Sequence, residues 1–307
     1  MRLDFVGFSM ASIALRCCLG WLLVGSAMLV YANEPYQPKL GQPGKDVMWL
    51  PTQDALMLRM LEVARVGPQD LVFDLGAGDG KIAIAAAKQF GARAVGIEYN
   101  ARLAELAKRQ VTQAGVSHLV KIIQGDIFKE DFSSATVLTL YLLDELNQML
   151  RPTILSMKPG TRVVSTSFAM GDWEPDEVIQ VSTTEDRYRT PTGYYWVVPA
   201  RIEGQWQLNG WPESNQNAPV ILRISQHYQR IAGTFTFKGV TQPLLGAQLK
   251  GSELSFSCVD AQGALKWVRA RVQQQDEQEM TGEILGAYGQ PETPVGPLEI
   301  KATRIRP

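Results

Sequence analysis

The residues best suited to chemistry sit at the tips of three apolar runs. Leu71-Val72-Phe73-Asp74-Leu75 leads into Gly76-Ala77-Gly78-Asp79-Gly80, and Lys81–Lys88 then reads as a helix. A strand feeding a helix through such a turn aims bare backbone N–H groups and a helix N-terminus at a ligand. A Cβ there would block close approach of the backbone, so glycine is required. The second run, Ala94-Val95-Gly96-Ile97, ends in Glu98, placed to accept both ribose hydroxyls of a nucleoside. The third, Val120-Lys121-Ile122-Ile123, ends in Gln124-Gly125-Asp126-Ile127. Lys81 stands where a G-x-G-x-x-G fingerprint has its third glycine, which argues against a nicotinamide or flavin dinucleotide. The bland alternatives are a βαβ turn whose glycines serve packing, and an Asx turn at Asp126.

Composition removes other chemistries. With 30 Lys+Arg against 31 Asp+Glu there is no global attraction to nucleic acid or to acidic partners. Only His118 and His227 are available to a Ser-His-Asp or Cys-His machine. Cys17 and Cys18 lie in an N-terminal apolar segment and leave Cys258 alone, so no Cys/His cluster has metal-ligand spacing.

The elements that must position these residues alternate regularly. Strands are expected at 71–75, 93–98, 119–124, 135–142 and 161–167, with helices at 80–90, 101–114 and 145–157. Such alternation implies a doubly wound parallel sheet with ligands at the carboxyl ends of its strands. Ahead of it Gln53–Val66 has helical spacing, and Thr52 either caps that helix or turns its hydroxyl to the ligand; capping is the favoured reading. Glu177–Thr183 and Tyr194–Pro199 read as two strands with no helix between them. After Ala200 the texture becomes β-rich, with about eight short strands separated by turn residues, an antiparallel meander closed as a small barrel or sandwich. The expected fold is therefore α/β with a β-rich C-terminal domain.

Asp74, the Gly76–Gly80 turn, Glu98 and Asp126 in succession resemble the class I S-adenosylmethionine-dependent methyltransferases. The closing pair of strands suits the antiparallel hairpin of that class. The resemblance implies S-adenosyl-L-methionine as cofactor. Asp74 with Gly76, Gly78 and Gly80 would hold its methionine end, Glu98 its ribose, and Asp126 with Ile127 its adenine. Thr52 would meet its carboxylate. Methyl transfer is an in-line displacement that needs positioning and exclusion of water, with no metal or covalent nucleophile.

A narrower resemblance is carried by Leu50-Pro51-Thr52, by Thr136–Asn147 and by Ser167-Phe168-Ala169-Met170-Gly171-Asp172-Trp173. Together they look like the lysine methyltransferases of the ATP synthase c-ring protein and the adenine nucleotide translocase, and their bacterial relatives. Over Val47–Ala200 this implies that Tyr141, Glu145 and Asn147 line the acceptor site and that a protein lysine, on a membrane protein in those relatives, is the partner. Asp144 stands where that pattern usually has proline, and Asn100 replaces a commoner aspartate. Methylation of a small molecule is the alternative within enzymes; a non-catalytic envelope binding protein on this fold is the alternative outside them.

Four segments are expected: a signal peptide or membrane anchor at 1–32, a Pro/Gly-rich linker at 33–46, the methyltransferase domain at 47–200 and the β domain at 201–307. Arg16 heads the apolar run Cys17–Tyr31, and Val30-Tyr31-Ala32 is an acceptable cleavage signal. That places the protein in the cell envelope, exported or anchored. Because the donor is made in the cytoplasm, a membrane tether on a cytoplasm-facing enzyme is the alternative.

Overall fold

The computed structural model describes residues 36–45, 48–181, 191–212, 214–260, 262–273, 278–285 and 297–305. Met1–Pro38 and Lys39–Pro307 form separate units. The expected signal or anchor at 1–32 lies outside the described residues. Among the described residues no helix is long and apolar enough to cross a membrane.

The first half alternates as α1 (Asp54–Val63), β1 (Leu71–Leu75), α2 (Lys81–Phe90), β2 (Arg93–Glu98), α3 (Ala101–Gln113), β3 (Val120–Gln124), β4 (Val137–Leu140), α4 (Asp144–Leu155) and β5 (Arg162–Thr166). Two further strands, β6 (Glu177–Gln180) and β7 (Thr192–Val197), follow. They form one seven-stranded sheet in the order β3-β2-β1-β4-β5-β7-β6. β1 to β5 run parallel, and β7 inserts antiparallel between β5 and β6. Strand order reverses between β1 and β4, so their carboxyl ends open a crevice where ligands bind in this architecture. β1 is enclosed in the sheet, with Val72 and Leu75 fully buried and Asp74 its one polar residue. Asn100 caps α3 by accepting from the Arg102 and Leu103 amides.

Thr52 does not cap α1. The helix starts at Asp54, and Gln53 stands at the cap position without a side-chain bond. Extended backbone at Gln53 delays the helix, and Thr52 is instead buried with its hydroxyl 3.4 Å from Thr166 Oγ1.

The second half is a nine-stranded antiparallel sheet. Its strands are β8 (Gly204–Asn209), β9 (Val220–His227), β10 (Arg230–Phe237), β11 (Val240–Pro243), β12 (Leu245–Lys250), β13 (Glu253–Val259), β14 (Leu265–Val272), β15 (Glu279–Leu285) and β16 (Leu298–Ile305). β11 and β12 were not expected as strands. They are two halves of one bent stretch, the first paired to β10 and the second to β13, so the sheet nearly closes on itself. The Leu244 amide bonds Gly233 O at 2.9 Å, and the Gln242 side chain exchanges two hydrogen bonds with the Val259 backbone across the seam. Alternate residues face inward, as in β14, where Val268, Ala270 and Val272 are buried. Trp206, Phe235 and Phe256 fill the interior. Cys258 is fully buried there, and burial pushes its thiol up to about 12, so it is inert at neutral pH.

Close strand approach at Gly282 gives a stability prediction. A Cβ there would lie 2.2 Å from Arg269 O and 2.6 Å from Ala270 Cα, so β14 and β15 would have to separate. Gly282→Ala should cost about 1–3 kcal/mol, the scale of overpacking, in urea unfolding followed by tryptophan fluorescence.

Candidate active site

The glycine turn is pinned to the neighbouring strand. Ile97 O accepts from the Gly76 and Ala77 amides at 2.9 and 3.0 Å. Gly76, Gly78 and Gly80 have φ of 86°, 57° and 84°, a region that disfavours any side chain. Glu98, at the end of β2, takes the Gly78 amide on Oε2 and the Asn100 amide on Oε1, each at 2.8 Å. Burial pushes this carboxyl up; the Asn100 and Gly78 amides draw it back only in part. Its unused lone pairs can accept ribose hydroxyls.

Three acids converge here. Asp74 is buried, accepts from Thr139 Oγ1 at 2.6 Å, and is pushed up to about 7 by burial and by the charges of Asp79 and Glu98. Asp79 is also raised, again mainly by burial. Clustered carboxylates at low dielectric favour a cation.

A strap from the N-terminal side roofs this floor. The Gly41 amide bonds Trp49 O at 3.0 Å and the Trp49 amide bonds Gln42 O at 2.9 Å, folding part of the expected linker back on itself. A Cβ on Gly78 would meet Trp49 Nε1 at 2.9 Å, so indole and glycine are in close contact. Lys45 pairs with Asp126 at 3.1 Å and lies 4.7 Å from the centre of the Tyr99 ring. Lys81 Nζ donates to Thr52 O at 2.7 Å and pairs with Asp54 at 2.5 Å, tying the strap to α2. Strap and floor enclose a cavity of about 120 Å³ walled by Thr52, Asp74, Gly76, Gly78, Glu98, Asp126, Ile127 and Tyr141 among others. Gly80 is set back, its α-carbon side packed towards Ala107. Asp126 makes the Asx turn as well, accepting from the Phe128 amide at 3.1 Å; that bond and Lys45 hold it below the ordinary carboxylate range.

The three residues expected at the acceptor end are placed differently from one another. Tyr141 lines the cavity with its ring centre 6.4 Å from that of Phe168. Glu145 projects to solvent from the first turn of α4, next to Leu146 in the cavity wall. Asn147 is fully buried: its Nδ2 donates to Ser165 Oγ and to the carbonyls of Phe168 and Ala169 at 3.1–3.2 Å, while its Oδ1 has no partner. Asp144 accepts from the Ala169 amide at 2.9 Å. Lys45, Trp49, Asp79 and Lys81 also stand at the cavity, although sequence reasoning did not select them. For Asp79 and Lys81 the signal was their place in the glycine motif; Lys45 sits in the stretch that reads as linker, and Trp49 just after it, in the lead-in to α1.

The cavity suits S-adenosylmethionine on these observations. It offers a glycine turn that carries few side chains, a buried acid with free acceptor capacity, and a cluster of raised carboxylates for a net-cationic donor. Architecture and cavity together define an S-adenosylmethionine-dependent methyltransferase.

Comparison with known proteins narrows this. Residues 74–177 match a family model described as the ANTKMT methyltransferase domain. A protein-lysine N-methyltransferase of Saccharolobus islandicus is 43% identical over 154 residues, which are 50% of this chain and 94% of that protein. The lysine N-methyltransferase of the ATP synthase c-ring protein from Xenopus laevis is 31% identical over 41% of this chain, and the adenine nucleotide translocase lysine N-methyltransferase of Mus musculus 34% over 40%. The match spans only 54% of the length of each of these two relatives. A solved structure titled as an RNA methyltransferase from Salinibacter ruber, in complex with S-adenosyl-L-homocysteine, is 45% identical; the match covers 50% of this chain and 96% of that one, with a TM-score of 0.46. The chain belongs to the ANTKMT methyltransferase family.

Two outcomes follow from the site. Gly78→Val should abolish donor binding while leaving the fold intact, because the side chain would strike Trp49 and hold the ligand off the backbone; calorimetry with S-adenosylhomocysteine reads this directly. Asp74 supplies the second. Its folded value of about 7 exceeds the ordinary 3.8, so the folded free protein holds a proton that the unfolded chain has lost, and this group's contribution to stability falls as pH rises between those values. A cationic donor favours the ionised form, so affinity for S-adenosylmethionine should climb by up to about tenfold per pH unit and level off above pH 7. Asp74→Asn should flatten that profile in calorimetry from pH 6 to 8.

Proposed function

We propose that this methyltransferase modifies a lysine side chain of a protein. The observation that carries this is the charge at the acceptor mouth: Asp144 and Glu145 lie exposed on the first turn of α4, beside the Tyr141 and Leu146 walls. Acids in that place attract an ammonium and repel a phosphate backbone. The net charge of −1 is in keeping with this, and the 43% identity to a protein-lysine N-methyltransferase supports it independently.

Bound in the cavity, S-adenosylmethionine supplies an electrophilic methyl group. Glu145 steers the acceptor ammonium towards the mouth. Tyr141 hydrogen-bonds and orients the amine, which has to lose its proton before attack. The Tyr141–Phe168 pair narrows the passage and keeps water out, and Asn147 holds the backbone on which Phe168 sits. Residues 1–32 act in this proposal as the export or tethering segment, which would bring the enzyme to membrane-protein acceptors. Fractionation of cells expressing the full chain, compared with a chain lacking 1–32, tests that part.

The acceptor class is tested by incubating the full chain with labelled S-adenosylmethionine and, separately, poly-L-lysine, total RNA and a membrane extract. Label should appear in polypeptide, on lysine by mass spectrometry, and label in RNA alone would overturn the assignment. Tyr141→Phe should lower turnover roughly 10- to 100-fold, the scale of one charge-assisted hydrogen bond, with donor affinity unchanged.

A further inference from the structure

Helix α4 holds one particular loop. Asp144, Asn147 and Arg151 are spaced three and four residues apart and so share a helix face. They bond, in order, the Ala169 amide, the Phe168 and Ala169 carbonyls, and Met170 O with Asp172. Packing matches: a Cβ on Gly171 would lie 3.0 Å from Arg151 Nη1 and 3.1 Å from Gln148 Cδ. The same loop begins in a strained turn. Ser167 has φ 64°, and the Phe168 amide closes back on Thr166 O at 2.8 Å. Three-residue turns of that hand are rare and persist only where their surroundings over-determine them.

The far end of the loop is gripped from the other sheet. The tight turn between β9 and β10 carries Tyr228 at φ 54°, followed by Gln229. The Tyr228 hydroxyl lies 3.2 Å from both Asp172 oxygens, and its ring stacks on Trp173 at 6.0 Å between centres. Gln229 Oε1 accepts from Trp173 Nε1 at 2.9 Å, and its Nε2 donates to Glu174 O at 2.7 Å. Arg230 pairs with Glu174. Asp172 is thus the joint where Arg151 of α4 and Tyr228 of the hairpin meet, and Arg151 draws its carboxyl below the ordinary range.

We propose that the β9–β10 hairpin is a positioning element for methyl transfer: Tyr228 and Gln229 fix the Ser167–Trp173 loop and thereby seat Phe168 against Tyr141 at the acceptor mouth. This rests on the Tyr141 end of the cavity being the acceptor side. The nine-stranded sheet then serves the reaction through the loop, without touching donor or acceptor. A lever of this kind acts on acceptor recognition and leaves the glycine turn, which is pinned to β2, undisturbed.

The test uses the full chain with Tyr228→Phe, which keeps the ring stack and removes only the hydroxyl, and Gln229→Ala. Hydrogen exchange by mass spectrometry should show the segment 166–173 exchanging at least about tenfold faster, with 71–98 unchanged. Affinity for S-adenosylhomocysteine should stay within about twofold. With poly-L-lysine as acceptor, kcat/KM should fall at least about tenfold, mostly through KM. Unchanged exchange at 166–173, or loss of S-adenosylhomocysteine affinity in step with global stability, would overturn the proposal. If the unaltered chain leaves poly-L-lysine unlabelled, the lysine assignment fails separately, and the exchange and donor-affinity results still decide whether the hairpin positions the loop.

Discussion

A single buried carboxylate organises the donor side of this molecule. Glu98 takes one backbone amide from the glycine turn and one from the start of α3, so it locks the tip of β2 to two neighbouring segments at once. Without it the Gly78 amide would be left buried and unpaired, at a cost of about 1–3 kcal/mol. The charge of the same group helps to raise Asp74, so the floor of the free protein carries electrostatic strain. A cation relieves that strain, so stability given up in the free protein reappears as affinity for a positively charged donor. Floor rigidity and charge preference therefore have one source.

The Tyr141 end of the cavity, the acceptor side in the proposed function, is built by different means. Beyond its own tight turns, the Ser167–Trp173 loop is shaped by side chains arriving from α4 and from the β9–β10 turn. Asn147 shows the difference. Its amide nitrogen serves three oxygens, two of them loop carbonyls, while its own oxygen is left unpaired.

What could be read from sequence divides along the same line. β1, the glycine turn and the acid at the tip of β2 were legible because each depends on residues adjacent in the chain: a largely apolar run, left-handed glycines, an acid at a strand end. The roof was not, since the contact of Trp49 with Gly78 joins the segment just after the Pro/Gly-rich stretch to a motif about thirty residues further on, and nothing local marks it. Thr52 was misassigned as a cap for a related reason: its hydroxyl is drawn to Thr166, a partner on β5. Glu145 and Asn147 lie two residues apart on α4, yet helix geometry sends one to solvent and the other to the core. In the second sheet β11 and β12 escaped notice because Pro243-Leu244-Leu245-Gly246 at their joint has the composition of a turn.

The hairpin that grips the loop is encoded more than fifty residues after it, which gives the enzyme a temporal order of assembly. A chain leaving the ribosome at about 5–20 residues per second exposes the glycine turn and β1 to β5 several seconds before Tyr228 emerges. During that interval a nascent chain has its donor floor but lacks one of the two grips on its acceptor loop. Selective methylation would thus switch on late, when the nine-stranded sheet has been made and folded, and a prematurely terminated chain would be a poor modifier of its acceptor.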